Sequence, residues 1–205
     1  MRHFYLLVVQ LGSIDIVKQL RLEDLPESVI PTGYDFEDIQ LPAYTVHPPA
    51  KLSEEGKNLC PTGLPDEFSL LATFRLDKFP QLVTMLNISG YDGVDLAITM
   101  DTEGRHITFE CSSIIAKFEL GNSNLRENVW HKLGFSISKS SIALTIDGES
   151  AGEATLTESD ACTFHCEEKN IYVAQNALWH VSWHILFCIV VLECHVDVVM
   201  MILYL

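Results

Sequence analysis

Positive charge is scarce in this 205-residue chain: 13 lysines and arginines face 28 aspartates and glutamates, for a formal net charge of −15. No basic run of useful length interrupts the acids. That excludes electrostatic binding to nucleic-acid phosphate and weighs against strong heparin binding, which needs clustered cations. Lys117, Arg126, Lys132 and Lys139 are the cations a local patch would use, and ordinary solvated surface accounts for them. Catalytic signatures are missing as well. There is no G-x-S-x-G elbow, no glycine-rich phosphate loop and no H-E-x-x-H, so neither an enzyme nor a cofactor is expected. Acids such as Glu23, Asp24, Glu37 and Asp38 crowd a proline-rich region, where a solvated surface explains them. Long amphipathic helices and internal repeats are absent too.

What is present is apolar and strand-like. Hydrophobic residues make up 48% of the chain and charged ones 20%, enough for one sizeable core and unlike a disordered composition. The opening "MRHFYLLVVQLGS" imitates a secretory signal, with Arg2 and His3 before an apolar Phe4–Val9. That run falls short of the roughly 7–15 residues of a signal core, and no A-x-A-like site follows. Residues 1–12 are therefore set apart as a leading or signal-like segment. "SIDIVKQLRL", Ser13 to Leu22, reads as a short amphipathic helix with Ser13 as N-cap and Ile16, Val17 and Leu20 on one face. From Glu23 to Pro65, proline, glycine and acids predict loops and edge strands.

From Glu67 the period becomes two. Phe68, Leu70, Ala72, Phe74 and Leu76 share one face. The same alternation groups Val94, Leu96, Ile98 and Met100, then Ile107, Phe109 and Cys111, then Ile114, Ala116, Phe118 and Leu120. Val129, Leu133, Phe135 and Ile137 follow, and Ile142, Leu144 and Ile146 run to a turn at Asp147-Gly148. "KNIYVAQ" is one more strand. Short strands at regular spacing, with polar turns between them, predict an all-β antiparallel sandwich.

After Asn176 the character changes. "ALWHVSWHILFCIVVLECHVDVVMMILYL" is almost wholly apolar, so residues 177–205 are set apart as a C-terminal tail. Glu193, His195 and Asp197 interrupt it near its middle, where one Asp at a helix centre costs about 2.5–3.5 kcal/mol in a membrane. Membrane contact by this tail is not expected, and the stretch near Ile185–Leu192 has the length of one strand.

Six cysteines permit disulfides. Cys162, Cys166, His180 and His184 stand in C-x3-C-x13-H-x3-H order, one residue from zinc-finger spacing. Against zinc, Ile171–Val173 reads as a strand and a nucleic-acid finger would be basic. Cys162 and Cys166 alternatively bridge each other, or pair with Cys60 or Cys111 across the sandwich; spacing does not decide the connectivity. Cys188 and Cys194 lie in the tail and receive no role. Asn87-Ile88-Ser89 fits N-x-S/T, and Gly90 after it points to a turn where a glycan has room.

Two blocks carry a family resemblance. The first, P-x-G-L-P-x-E-F-S-L-L-x-T-F-R, includes Pro61, Gly63, Leu64, Pro65, Glu67, Phe68, Thr73, Phe74 and Arg75. The second is W-H-K-L at Trp130, His131, Lys132 and Leu133, followed by S-x-x-L-x-I-D from Ser141 to Asp147. Over about residues 14–175 the chain resembles the thrombospondin N-terminal-like module of the laminin-G superfamily, in the form found on fibril-associated collagens. The resemblance implies a laminin-G-like or concanavalin-like jelly roll over residues 13–176, with a short N-terminal helix. It also implies a secreted, non-catalytic module of the extracellular matrix that contacts matrix proteins or glycosaminoglycans. The parent would be a collagen-like chain, although no Gly-X-Y segment occurs here and this sequence alone cannot form a triple helix. Some laminin-G domains hold calcium on rim aspartates, for which Asp92, Asp95 and Asp101 are the candidates.

Alternation puts Trp130 and His131 on opposite faces of one strand, with the tryptophan expected in the core beside a strand histidine. Two departures from the family stand out. Its cysteine after "ID" is replaced by Gly148-Glu149-Ser150, and its final strand is replaced by the apolar tail. Two other functions compete. A lectin-like carbohydrate-binding sandwich would need a carboxylate pair or an exposed aromatic platform. An intracellular zinc protein would need the four finger residues.

Overall fold

The alternating segments become paired strands in the computed structural model, which describes residues 13–21, 29–36, 39–47, 52–60, 64–76, 82–121, 125–157, 162, 166–173 and 185–194. β1 (Ser13–Asp15) leads into one turn of helix, α1 (Ile16–Gln19). β2 (Val29–Phe36) and β3 (Ile39–Val46) form a hairpin, and β4 (Ser53–Glu55) runs into α2 (Gly56–Leu59). Then come β5 (Phe68–Leu76), β6 (Leu82–Gly90), β7 (Gly93–Asp101), β8 (His106–Cys111) and β9 (Ile114–Glu119). β10 (Trp130–Ile137), β11 (Ser141–Ile146), β12 (Glu149–Thr155), β13 (Asn170–Val173) and β14 (Ile185–Cys194) complete the order.

These strands make two antiparallel sheets. The eight-stranded sheet runs β12-β11-β10-β5-β14-β3-β2, with β1 beside β14. The six-stranded sheet runs β4-β13-β6-β7-β8-β9. The faces that meet are the apolar sets read from the sequence: Phe68, Leu70, Phe74 and Leu76 from one sheet, Leu96, Ile98, Ile107 and Phe109 from the other, all 0–1% exposed. Burying each such side chain contributes roughly 1.5–3 kcal/mol. Phe135 of β10 meets Phe109 of β8 at 5.3 Å and Phe118 of β9 at 5.8 Å, so one aromatic cluster joins the two sheets. The turn at Asp147-Gly148 has φ of 52° and 84°, the two left-handed positions of a type I′ hairpin.

Several expectations need correction. The N-terminal helix is one turn long, and Ser13 lies in β1, paired with Glu193, where it cannot cap. Val94 is 42% exposed because β6 and β7 slip register between Ile88 and Ser89, which turns Val94 away from the core. Val129 is also 42% exposed and precedes β10. The tail, set apart from the 13–176 domain in the sequence, contributes a strand to it. β14 lies between β3 and β5, and pairing on both sides satisfies its backbone groups.

Candidate functional site

His131 is the first residue to settle. It is 2% exposed, and Trp130 is the half-buried member of the pair, opposite to the expectation. The backbone N–H of Arg126 donates to His131 Nε2 at 2.9 Å, which leaves the proton on Nδ1. Nδ1 donates to Asp147 Oδ2 at 2.8 Å, and Asp147 Oδ1 accepts the Lys132 backbone N–H at 2.7 Å. The W-H-K and I-D motifs are thus two halves of one clasp holding β10 to the β11–β12 turn. With both ring nitrogens engaged inside the protein, His131 has no face to offer as a general base.

The other motif residues are also structural. β5 and β10 pair Arg75 with Trp130, Phe74 with His131, and Phe68 with Ile137, so the two motif blocks are register partners. The Arg75 guanidinium lies 5.5 Å from the Trp130 ring centre, on the outer face of the eight-stranded sheet. Leu64 is buried and Pro65 half-buried; Pro61 and Gly63 fall outside the described residues.

Cysteines Cys60 and Cys166 form one disulfide, and Cys111 and Cys162 another, with Cα atoms 5.8 and 5.3 Å apart. This rules out Cys162 and Cys166 as zinc thiolates, because a disulfide sulfur is not a zinc ligand. His180 and His184 lie outside the described residues. Bridges of this kind belong to an oxidising, extracellular-type compartment. Asp92 and Asp95 face an ammonium instead of each other, with Lys169 Nζ at 4.0 and 3.0 Å. Asp101 is spent on the Gly104 N–H at 2.7 Å. Among the described residues no three His, Cys, Asp or Glu side chains converge as a metal site requires.

Asn87 changes meaning most. It does not lie in a loop but in the middle of β6, paired with Tyr172 and Ala97, and it is 4% exposed. A strand-centre amide this enclosed has no room for a glycan, which corrects the glycosylation expectation. Its Oδ1 is buried with no hydrogen-bond partner. Leu86 and Ile88 beside it point into the core, so Asn87 belongs to the outer face of the six-stranded sheet.

That face is largely polar, with Ala97 in one row and exposed Leu82 and Ile115 at row ends. Register aligns Tyr172, Asn87, Ala97 and Glu110 in one row. Thr84, Thr99, Thr108 and Lys117 form the next, and Asp101, His106 and Glu119 the one beyond. His106 Nδ1 is a second buried atom without a partner. The cations of this face are already paired: Lys117 with Glu119 at 3.1 Å, and Lys169 with Asp95 at 3.0 Å. The sequence did not single out Thr84, Thr108, Glu110 or Tyr172. The usable signal was the polar half of the alternation whose apolar half defined the core.

No protein-family model matches the chain, and no curated protein matches it either. Solved structures match its fold. The receptor-binding domain of botulinum neurotoxin D is 10% identical, with a TM-score of 0.54 over 83% of this chain and 50% of its own. The botulinum neurotoxin type G receptor-binding domain is also 10% identical, with a TM-score of 0.55 over 85% and 43%. Domain 4 of AbnA, an extracellular GH43 arabinanase from Geobacillus stearothermophilus solved with arabinotriose, is 12% identical, with a TM-score of 0.54 over 85% and 79%. This chain thus spans half or less of the botulinum receptor-binding domains it matches. At such identities the likeness is one of fold, and the class it defines is the antiparallel β-sandwich.

Proposed function

We propose that this chain is a non-catalytic, extracellular binding module that takes carbohydrate on the outer face of its six-stranded sheet. The carrying observation is that face: three mostly polar rows spread over β6 to β9, with two buried polar atoms, Asn87 Oδ1 and His106 Nδ1, left unpartnered. Sugars are recognised by dense hydrogen bonding to hydroxyls beside an aromatic ring, and Tyr172 supplies the ring. The arabinotriose held by the similarly folded AbnA domain supports the same use of this architecture. A glycan array probed with the full chain tests it. Reproducible binding to a defined sugar class is expected; an empty array refutes it.

A second reading is favoured by one observation. The two blocks resembling the thrombospondin N-terminal-like module are register partners on β5 and β10, and His131 and Asp147 join its motifs. On that reading the module belongs to a matrix protein, and its sugar face or the Arg75–Trp130 surface meets matrix components. Solid-phase binding to matrix proteins, with and without glycosidase treatment, separates protein from sugar recognition.

A further inference from the structure

Resting on the carbohydrate reading, we infer that the six-stranded sheet anchors its sugar at the β6–β7 turn, where a neutral sugar ring stacks on Tyr91 and Asp92 and Lys169 take its hydroxyls. A sandwich that binds sugar through an aromatic needs a ring that a ligand can reach. Among the described residues Tyr91 is the only exposed aromatic, at 106%. The other described tyrosines, tryptophans and phenylalanines are buried or half-buried, and Trp130 lies under the Arg75 guanidinium. Tyr91 and Asp92 are the two residues between Gly90 and Gly93, the last register pair of the hairpin. A side chain at Gly93 would meet nothing within 4 Å, so the space beside the turn is open. Val94, turned outward by the register slip, carries the apolar surface on along β7.

The polar groups at the turn select the ligand. A sugar ring turns C–H bonds to its faces and hydroxyls to its rim, so it lies on an aromatic face and hydrogen-bonds around its edge. The Asp92 side chain is 95% exposed, and its nearest cation is the Lys169 ammonium at 4.0 Å. That carboxylate is open to accept sugar hydroxyls with charge-assisted strength. Lys169 is the donor, and its place is built. A β-carbon at position 90 would stand 2.6 Å from its Cδ and 2.9 Å from its Nζ, so glycine there lets the lysine lie across the turn. Asp95 holds the same Nζ at 3.0 Å. An ammonium has three hydrogens, so one remains for a ligand beside the two aspartates. Two carboxylates around one ammonium leave the turn negative. A sulfate or uronate therefore meets repulsion at the turn and from a chain of net charge −15, and a neutral sugar does not.

The test uses the full chain on an array carrying arabinotriose, lactose, cellotriose and a high-mannose glycan beside sialylated, uronic and heparin-derived sugars. The best neutral probe is then titrated while backbone amides are followed by NMR. Neutral probes are expected to bind and to shift the amides of Gly90 to Val94 first. Tyr91→Ala should weaken that binding at least about tenfold, while Tyr91→Phe, which keeps the ring, should retain it. Asp92→Asn, which keeps the shape and removes the charge, should weaken it several-fold. Thermal unfolding of Tyr91→Ala should match the parent chain, because the ring is fully exposed, and this keeps the outcome independent of folding. Binding confined to sulfated or uronic sugars overturns the inference while leaving the carbohydrate reading intact. Neutral binding unchanged in Tyr91→Ala, or amide shifts centred away from the turn, overturns the Tyr91 anchor in the same way. An array with no bound sugar at all removes the carbohydrate reading and the anchor together.

Discussion

Two buried polar side chains, on opposite sheets and equally shut from water, are treated in opposite ways. His131 is 2% exposed and both its ring nitrogens are bonded, to Arg126 N–H and to Asp147. Asn87 is 4% exposed and its Oδ1 has nothing. A buried acceptor without a partner costs about 1–3 kcal/mol, so a fold keeps one only where something outside stability requires it. The contrast separates a side chain matched inside the fold from one that is not, and Arg75 Nε, inside the first motif, is unmatched as Asn87 is. His131 reads from its motif as a strand histidine, whereas Asn87 reads from its triplet as a glycan acceptor in a turn, and its place within β6 overturns that.

The largest effect should come from the element both regions do not share. Cys166 lies just before β13, the strand that puts Tyr172 next to Asn87, and its bridge to Cys60 closes 106 residues of sequence. Replacing both cysteines by serine should destabilise the fold by about 2–5 kcal/mol in chemical denaturation. Amide signals of β13 and β6 should shift while those around His131 stay in place; equal disturbance of both regions would mean they are not separable. Next is His131→Ala, which empties a buried site and strands the Asp147 carboxylate and the Arg126 N–H. About 3 kcal/mol should be lost in urea unfolding, with sugar affinity unchanged under conditions where the variant stays folded.

How much was legible follows from the same physics. Burial of an apolar face demands period two, so β5, β8, β9 and β11 could be read almost residue by residue, while β6, whose register slips twice against β7, could not, and Asn87 reads there as a turn residue. The pairings between distant segments could not. Nothing local says that Cys60 meets Cys166 or that β14 enters between β3 and β5. Helix periodicity over Ser13–Leu22 lost to strand pairing, because Ser13, Ile14 and Asp15 find backbone partners on β14 that an isolated helix end would leave unmade. The Trp130–His131 assignment failed for a related reason. Alternation says that two neighbours face opposite ways but not which way, and the paired Asp147 allows the polar ring to be the buried one. The polar outer face of the six-stranded sheet was the part least visible, since a polar residue facing outward on a strand is ordinary until its neighbours across the sheet are known.

Two smaller effects sharpen the contrast. Asn87→Leu exchanges an unpartnered amide for an apolar group of similar size. Stability should rise by about 1 kcal/mol, read as a higher urea midpoint, while the sugar binding proposed for this face is lost. A loss of stability would show that Asn87 is matched as His131 is. The smallest change is expected from Lys117→Met. The Lys117–Glu119 pair is exposed at 52% and 67%, where such pairs contribute about 0–1 kcal/mol, so the unfolding midpoint should hardly move. The variant is informative because it removes a cation from the outer face of the six-stranded sheet. If the face takes neutral sugars, their affinity is unaffected, since no charge on the ligand answers Lys117. If the face instead takes anionic chains, this near-silent substitution should weaken binding several-fold and flatten its dependence on salt.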